Sequence, residues 1–184
     1  AGFIGFHLAK LLLEEGFTIH GYDGITDYYD VNLKKARHEI LSKYPNFSST
    51  IGMLEDEQKL NDLAIKFQPK TIIHLAAISS TNDFKKNPKK AFDININGTF
   101  NLITAASKKK VKRIIFASSE WVYGEYSKEI IKEKKLIDYY DLGSEYALSK
   151  AFGENLIKYY CKKFNIKQTI FRFGIIYGPR FSKS

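Results

Sequence analysis

Tyr146 and Lys150 are the residues whose types and spacing most clearly indicate chemistry. They lie four positions apart in SEYALSK (144–150), a segment of helical spacing, so both side chains face the same way. A phenol is a poor base at its ordinary pKa of about 10, but a neighbouring ammonium favours the phenolate and lowers that pKa. Ser119, which ends FASS (116–119), could hold the same substrate hydroxyl. The three residues are therefore a candidate set for proton abstraction from a hydroxyl group.

An exposed, solvated pair is the alternative interpretation, since a tyrosine and a lysine occur four apart by chance on many lysine-rich helices. The context favours chemistry, because the helix follows a predicted strand that ends in FASS. Open α/β sheets bind ligands outside the carboxyl ends of their strands. We therefore predict that Ser119, Tyr146 and Lys150 act together.

A glycine pair at the start of the chain is typical of a phosphate-binding turn. Gly2 and Gly5 have the spacing of the last two glycines of such a turn, and the segment behind them has helical periodicity up to Gly16. Backbone N–H groups at a helix N-terminus bind a diphosphate, and glycines let it approach closely. A plain tight turn is the alternative interpretation.

Asp23 supports the dinucleotide interpretation. It ends the predicted strand FTIHGYD (17–23), at nearly the interval from Gly5 at which an acid hydrogen-bonds an adenosine ribose. The next residues, Gly24 and Ile25, offer no arginine for a 2′-phosphate. We therefore expect NAD rather than NADP.

The elements that must position these residues follow from hydrophobic periodicity, because continuous apolar runs alternate with segments of helical spacing. Predicted strands cover 17–23, 70–77, 111–119 and 167–174, and predicted helices cover 57–67, 87–109 and 144–164. This alternation predicts an α/β fold with a doubly wound parallel sheet, in one domain over residues 1–184. On the last helix we expect a core stripe of Leu148, Phe152 and Tyr159.

Composition narrows the function class. The chain has 184 residues, 44% of them hydrophobic, which is enough for a core, and Cys161 is its only cysteine, which fits a reducing cytoplasm. No apolar run approaches the roughly 20 residues of a membrane span. The net charge of +9 comes from lysine runs without interleaved aromatics, at 85–90, 107–113 and 132–135. We expect these runs to be solvated helix ends and loops, not a nucleic-acid surface.

Six ordered motifs resemble the extended short-chain dehydrogenase/reductase family, in the branch of NAD-dependent epimerases and dehydratases that act on nucleotide sugars. They are AGFIG (1–5), HLAA (74–77), NINGTFNL (95–102), FASSEWVYGE (116–125), YALSK (146–150) and FRFGIIYGPR (171–180). A further segment, GYDGITDYYDVNLKKAR (21–37), is similar to its counterpart in UDP-glucuronate 4-epimerases. The resemblance implies a Rossmann-like fold and covers the whole chain.

The resemblance also implies a role for each matching residue. Gly2, Phe3, Ile4 and Gly5 would lie at the cofactor diphosphate, and Asp23 at the adenosine ribose. Leu75, Ala76 and Ala77 would line the cofactor site, with Asn95 as a structural amide close to it. Ser119, Tyr146 and Lys150 would be catalytic, and Tyr146 and Lys150 would also contact NAD.

The activity that the resemblance implies is epimerisation of a UDP-sugar at C4, through transient oxidation to a 4-keto sugar. A 4,6-dehydratase or a keto-sugar reductase of the same family would use the same residues, and a non-catalytic dinucleotide-binding module is a further alternative. Relatives form homodimers through a helix pair that includes the one carrying Tyr146, so Phe152 or Tyr160 could face a partner. No metal ion is expected.

Three departures from the family pattern bear on function. Met53 stands where many relatives have an acid near the adenine, and Ile175 stands where many have an asparagine that contacts the substrate diphosphate. Dehydratases carry a glutamate immediately before VYG, whereas this chain has Trp121 there and Glu120 one position earlier. Adjacent residues of an extended segment point to opposite sides, so we expect that Glu120 does not replace that acid. Elimination is therefore disfavoured.

The resemblance further implies that the sheet is incomplete. Family members carry a first strand before the position of Ala1, at the centre of the sheet, and continue after YGPR into a C-terminal substrate-binding region. Both are missing from the sequence, so we expect an internal fragment that is marginally stable in isolation.

Overall fold

The computed structural model describes residues 1–109, 111–124 and 130–179; the motif ends Glu125 and Arg180 lie outside these ranges. The chain divides into two compact units, one made of residues 1–53 with the described residues from 176, the other of residues 54–175. Both contain parallel strands joined through helices, which confirms the predicted α/β class. The single domain over 1–184 stays a prediction.

Within the described residues of the first unit, two helices alternate with two strands. They are α1 (Phe3–Glu14), β1 (Ile19–Asp23), α2 (Val31–Ser42) and β2 (Phe47–Ile51), and the strands pair in parallel. Periodicity alone assigned no element to α2 or β2. Phe6, Leu13 and Leu41 form the core, and the chain leaves α1 at Gly16, whose φ of +83° suits glycine.

The second unit is a three-stranded parallel sheet with its helices. Its strands are β3 (Thr71–His74), β4 (Arg113–Ser119) and β5 (Lys167–Phe173), in the order β3-β4-β5. Its α-helices are α3 (Glu57–Phe67), α4 (Thr81–Lys86), α5 (Pro88–Phe92), α6 (Gly98–Ser107) and α7 (Glu145–Lys163). The predicted strand 70–77 ends early, at His74, and the motif HLAA leads out of the sheet.

A π-helical turn interrupts the helix predicted over 87–109. This turn covers Asp93–Asn97 and separates α5 from α6. Asn87 caps α5 through its side chain, and Pro88 occupies the first turn, where its missing N–H costs nothing. Single π turns are frequent at functional sites, and they change the direction of a side chain within a helix. Here that side chain is Asn95.

The core stripe predicted for α7 was wrong. Phe152 and Tyr159 are 44% and 64% exposed, while Leu148 is partly buried against Val122 and its neighbours. The buried face carries smaller and polar residues, among them Ala147, Ser149, Lys150, Ala151, Gly153 and Glu154. The helix lies too close to β4 for large side chains: a Cβ at Gly153 would come within 2.6 Å of the Phe116 ring.

The lysines of the run 85–90 lie on the surface, while the interpretation of the three runs as solvated segments rather than a nucleic-acid surface stays a prediction. Lys85, Lys86, Lys89 and Lys90 are all exposed at the ends of α4 and α5, where cations suit the helix C-terminal dipole. Across the part of the chain that the structure describes, no helix combines the length and the apolar character that crossing a membrane requires.

Candidate active site and dinucleotide-binding residues

The first turn of α7 carries Tyr146, with Lys150 one turn later. Ser144 caps the helix, since its hydroxyl accepts a hydrogen bond from the Ala147 N–H at 3.2 Å. The Lys150 ammonium lies 6.0 Å from the centre of the Tyr146 ring. The structure thus brings this predicted pair together on one helical face.

Lys150 joins the helix to the strand that precedes it. Its ammonium is buried and donates a hydrogen bond to the Ala117 carbonyl on β4 at 2.8 Å. Burial lowers the pKa of Lys150 to about 8, so most molecules still carry the ammonium at neutral pH. A buried cation beside a phenol can stabilise the phenolate.

Ser119 ends β4 and is buried. Its hydroxyl oxygen accepts a hydrogen bond from the Trp121 N–H at 3.3 Å and so caps a 3₁₀ turn, Glu120–Tyr123. The Trp121 ring lies 5.9 Å from the Tyr146 ring, at 77°. Trp121 therefore contacts both Ser119 and Tyr146.

Asn95 ties the chain beyond β3 to α7. Its side chain exchanges two hydrogen bonds of 2.8 Å with the Ile78 backbone, accepting from the N–H and donating to the carbonyl. It also donates to the Ser149 hydroxyl at 2.9 Å, and Ser149 donates to the Tyr146 carbonyl at 2.8 Å. The bonds to Ile78 fix the chain directly after Leu75, Ala76 and Ala77. Ser149, which periodicity did not select, completes the link to Tyr146.

His74 is a buried group that sequence reasoning overlooked. The Thr99 hydroxyl donates to the Asn95 carbonyl at 2.6 Å, so His74 Nε2 must donate to that hydroxyl, at 2.9 Å. Burial, with a further contribution from the Lys150 charge, lowers the pKa of His74 to about 3. The ring is therefore neutral and acts as a hydrogen-bond donor. Its position at the start of HLAA was the available signal.

A second overlooked group is the buried carboxylate of Glu154. Arg172 on β5 binds both of its oxygens at 2.8 Å, and the Ser118 hydroxyl donates to it at 2.7 Å. Burial alone would raise the pKa of Glu154, but the hydrogen bonds from Arg172, Ser118 and Lys158 hold it below its usual range. This cross-link joins α7, β4 and β5 next to Ser119.

In the first unit, Gly2 precedes α1 in an extended conformation, and the helix begins at Phe3. The N–H groups of the first turn, those of Phe3, Ile4 and Gly5, are directed out of the amino end. A Cβ at Gly2 would meet no atom within 4 Å, which leaves room for a ligand to approach. These residues fit a diphosphate group.

Asp23 lies at the carboxyl end of β1. Its carboxylate accepts a hydrogen bond from the Ile25 N–H at 2.7 Å, and the Ala1 backbone nitrogen lies 2.9 Å from it. A carboxylate here fits a ribose diol, as a hydrogen-bond acceptor.

Two of the departures have structural counterparts. The Met53 sulfur would lie 2.5 Å from a Cβ at Gly24, so Met53 packs at the end of β1. The Glu120 carboxylate lies beside Gly174, whereas Trp121 lies beside Tyr146. The segment is a 3₁₀ turn and not extended, so the reason given for their divergence was wrong although the two side chains do diverge. Ile175, the third departure, is largely exposed.

Comparison with known proteins places this chain among relatives of similar sequence and fold. A protein of Rhizobium meliloti named "Probable UDP-glucuronate 4-epimerase" is 38% identical over 179 residues, which cover 97% of this chain and 52% of that protein. The UDP-glucuronic acid 4-epimerase of Bacillus cereus, solved with UDP-glucuronic acid and NAD, has a TM-score of 0.87 and 29% identity over 97% of this chain and 55% of its own.

A UDP-glucose 4-epimerase of Thermotoga maritima, solved with UDP-glucose, has a TM-score of 0.83 and 27% identity, over 98% of this chain and 55% of its own. The chain thus spans about half the length of the relatives that it matches. The model of the NAD dependent epimerase/dehydratase family matches residues 1–184 in full. The chain therefore belongs to the NAD-dependent epimerase/dehydratase family.

Proposed function

We propose that the full-length protein interconverts the C4 epimers of a UDP-sugar, UDP-glucuronate or UDP-glucose, with NAD as cofactor. One observation carries the proposal: Lys150 is hydrogen-bonded to β4 and lies close to the Tyr146 ring, and the residue before VYG that contacts this ring is Trp121 rather than an acid. The named activity of the Rhizobium meliloti relative, of which this chain covers half, supports the same choice.

The protein's own groups would divide the work as follows. Tyr146, as the phenolate, takes the proton from the sugar 4-hydroxyl, and the Lys150 ammonium stabilises that phenolate. The Ser119 hydroxyl holds the sugar oxygen at C4 by a hydrogen bond. NAD, when bound, supplies hydride acceptance and return at that carbon. Gly2, Phe3, Ile4 and Gly5 would hold its diphosphate, Asp23 its adenosine ribose, and Leu75, Ala76, Ala77 and Asn95 would border it.

A 4,6-dehydratase is the second candidate, because the family includes dehydratases. Elimination needs an acid beside the reacting sugar in addition to the Tyr146–Lys150 pair. Trp121 occupies that position and Glu120 lies against Gly174, so the described residues favour epimerisation. A keto-sugar reductase depends on added reduced cofactor, so it would convert neither sugar in the experiment below, which omits that cofactor.

A cytoplasmic homodimer is the setting that we propose for this activity. The single cysteine, Cys161, is buried, and burial raises its pKa to about 11, which keeps the thiol protonated and inert. Exposed aromatic residues on α6 and α7, Phe100, Phe152 and Tyr159, support a helix-pair interface. We propose no nucleic-acid or membrane partner.

Product analysis of the full-length protein tests the proposed activity. It is incubated with UDP-glucuronate and, separately, with UDP-glucose, without added reductant, and the sugars are resolved by NMR. We expect a mixture of 4-epimers in one reaction, abolished in Tyr146→Phe, which keeps the ring but lacks the hydroxyl. A 4-keto-6-deoxy product would establish a dehydratase instead, and no turnover of either sugar would contradict the proposal.

A further inference from the structure

Three of the four side chains in the 3₁₀ turn after β4 pack against the second unit, and the fourth, that of Trp121, is partly exposed. Val122 is fully buried, and the Tyr123 ring lies under the Arg172 guanidinium at 4.6 Å. The Glu120 carboxylate lies against Gly174 at the end of β5. These three contacts fix the turn and therefore the direction in which the remaining side chain, that of Trp121, leaves the backbone.

Trp121 combines a large apolar ring with a hydrogen-bond donor, and neither is fully used. Its side chain is 41% exposed, although its ring edge contacts Tyr146. Its indole N–H has no hydrogen-bond partner within residues 1–109, 111–124 and 130–179. An indole that is 41% exposed lacks part of the hydrophobic stabilisation that usually places tryptophan in the core or at an interface.

We propose that Trp121 binds the hexose ring of the substrate, an assignment that rests on the proposed function. The reacting 4-hydroxyl must lie at Tyr146, so the sugar attached to it comes within reach of the adjoining indole. A pyranose presents apolar C–H groups on its faces and hydroxyl or carboxylate oxygens at its rim. The indole ring would cover the C–H groups, and the N–H would donate to a rim oxygen.

This assignment gives Trp121 a role in specificity. Its contacts are with the sugar and not with the nucleotide, so they add affinity for a UDP-hexose but none for UDP itself. Because the ring touches Tyr146, a bound hexose is also held close to the general base. Trp121 is then a specificity-determining residue that separates UDP-sugars from free UDP.

Calorimetric titration of the full-length, NAD-loaded protein tests the inference. All variants carry Tyr146→Phe, which preserves the ring that Trp121 contacts and prevents turnover, and each is titrated with UDP-glucuronate, UDP-glucose and UDP. Trp121→Ala should weaken binding of the better UDP-sugar about tenfold and leave UDP within about twofold. Trp121→Phe should fall between the two, because it retains apolar area and lacks the donor. Phe17→Ala, at an exposed aromatic residue of the first unit, is the matched control and should change nothing.

The outcomes separate this inference from the proposed function. Equal Kd values for a UDP-sugar with and without the indole, in a protein whose wild type epimerises it, would overturn the inference alone. Equal weakening of UDP and UDP-sugar by Trp121→Ala would also overturn it, because Trp121 would then act on the nucleotide or through the fold. A wild type that neither binds nor converts either UDP-sugar would overturn both proposals.

Discussion

At the residue scale, the ionisation of Lys150 links the fold to the proposed chemistry. Burial lowers its pKa to about 8, and its remaining hydrogen bond is to the Ala117 carbonyl. The ammonium is therefore present below about pH 8 and is lost as the pH rises through that value. A mechanism in which the ammonium stabilises the Tyr146 phenolate must weaken over the same interval.

The prediction concerns the alkaline side of the pH profile. In the full-length protein, kcat/KM should decline above about pH 8, and Lys150→Met should lose about 10²- to 10⁴-fold in kcat/KM and lack that decline. Lys162→Met, at an exposed lysine of the same helix, is the control and should keep the wild-type profile. A Lys150→Met profile that still falls above pH 8 would assign the titration to another group.

His74 gives a second prediction, on stability in acid. The folded protein binds a proton on this ring only near pH 3, the unfolded chain near 6.5, so the unfolded state binds more protons between these values. The free energy of unfolding should therefore decrease as the pH is lowered, by about 2 kcal/mol between pH 7 and pH 5 for this residue. Urea titrations at both pH values measure it. His74→Gln keeps a donor for Thr99 and should lose less over that interval; an equal loss would refute the assignment.

The sequence predicted the proximity of Tyr146 and Lys150 because residues four apart on a helix are neighbours whatever the rest of the chain does. The sequence did not indicate roles for Ser149, His74 and Glu154, for the opposite reason. Their partners, such as Asn95, Thr99 and Arg172, lie far along the chain, and only tertiary packing brings them together. Pairs of this kind leave no periodic signal.

At the scale of elements, the π turn is the device that aims Asn95. A regular helix over 87–109 would have placed successive side chains 100° apart, whereas the wider turn at Asp93–Asn97 directs Asn95 toward both Ile78 and Ser149. The chain bordering the proposed cofactor site and the helix that carries Tyr146 are thus fixed by one amide.

Removing that amide gives a third prediction. Asn95→Ala leaves the Ile78 N–H and carbonyl and the Ser149 hydroxyl without their partner, so the free energy of unfolding should fall by about 2 to 3 kcal/mol, and NAD affinity should weaken. Asn97→Ala, in the same π turn, removes only an exposed bond to Asp93 and should cost less than about 0.5 kcal/mol. Urea denaturation and NAD titration compare them. Equal losses in the two variants would mean that the turn, not the cross-link, matters.

Helix and strand identity could largely be predicted, whereas the packing of α7 could not. Strands β3, β4 and β5 contain apolar runs from which they can be predicted. In contrast, α2 and β2 are too polar on average for hydrophobic periodicity to identify them. On α7 the large apolar residues, Phe152 and Tyr159, lie on the outer face, because Gly153 lets the helix approach β4 closely. A rule that places large apolar residues inside therefore selects the wrong face.

At the scale of the whole molecule, that outer aromatic face leads to the fourth prediction. Phe100 on α6 contacts Tyr160 on α7 edge to face, at 5.2 Å, and Phe152 and Tyr159 lie exposed on the same helix. Light scattering of the full-length protein should give a dimer mass, and Phe152→Glu should shift it toward the monomer, because a dimer interface would bury the added charge. Ile65→Glu, at an exposed residue of α3, should leave the mass unchanged. A monomeric wild type would contradict the proposed interface.

The close approach at Gly153 also means that the proposed chemistry depends on a residue whose side chain is a single hydrogen atom. Glycine here has no Cβ between α7 and the Phe116 ring, and any larger residue would displace the helix outward by about an ångström. Lys150, three residues earlier, would then be drawn off the Ala117 carbonyl. A glycine codon thus controls the alignment of Tyr146 and Lys150. A mutation of that codon would inactivate the protein even though the gene still encoded every reactive side chain.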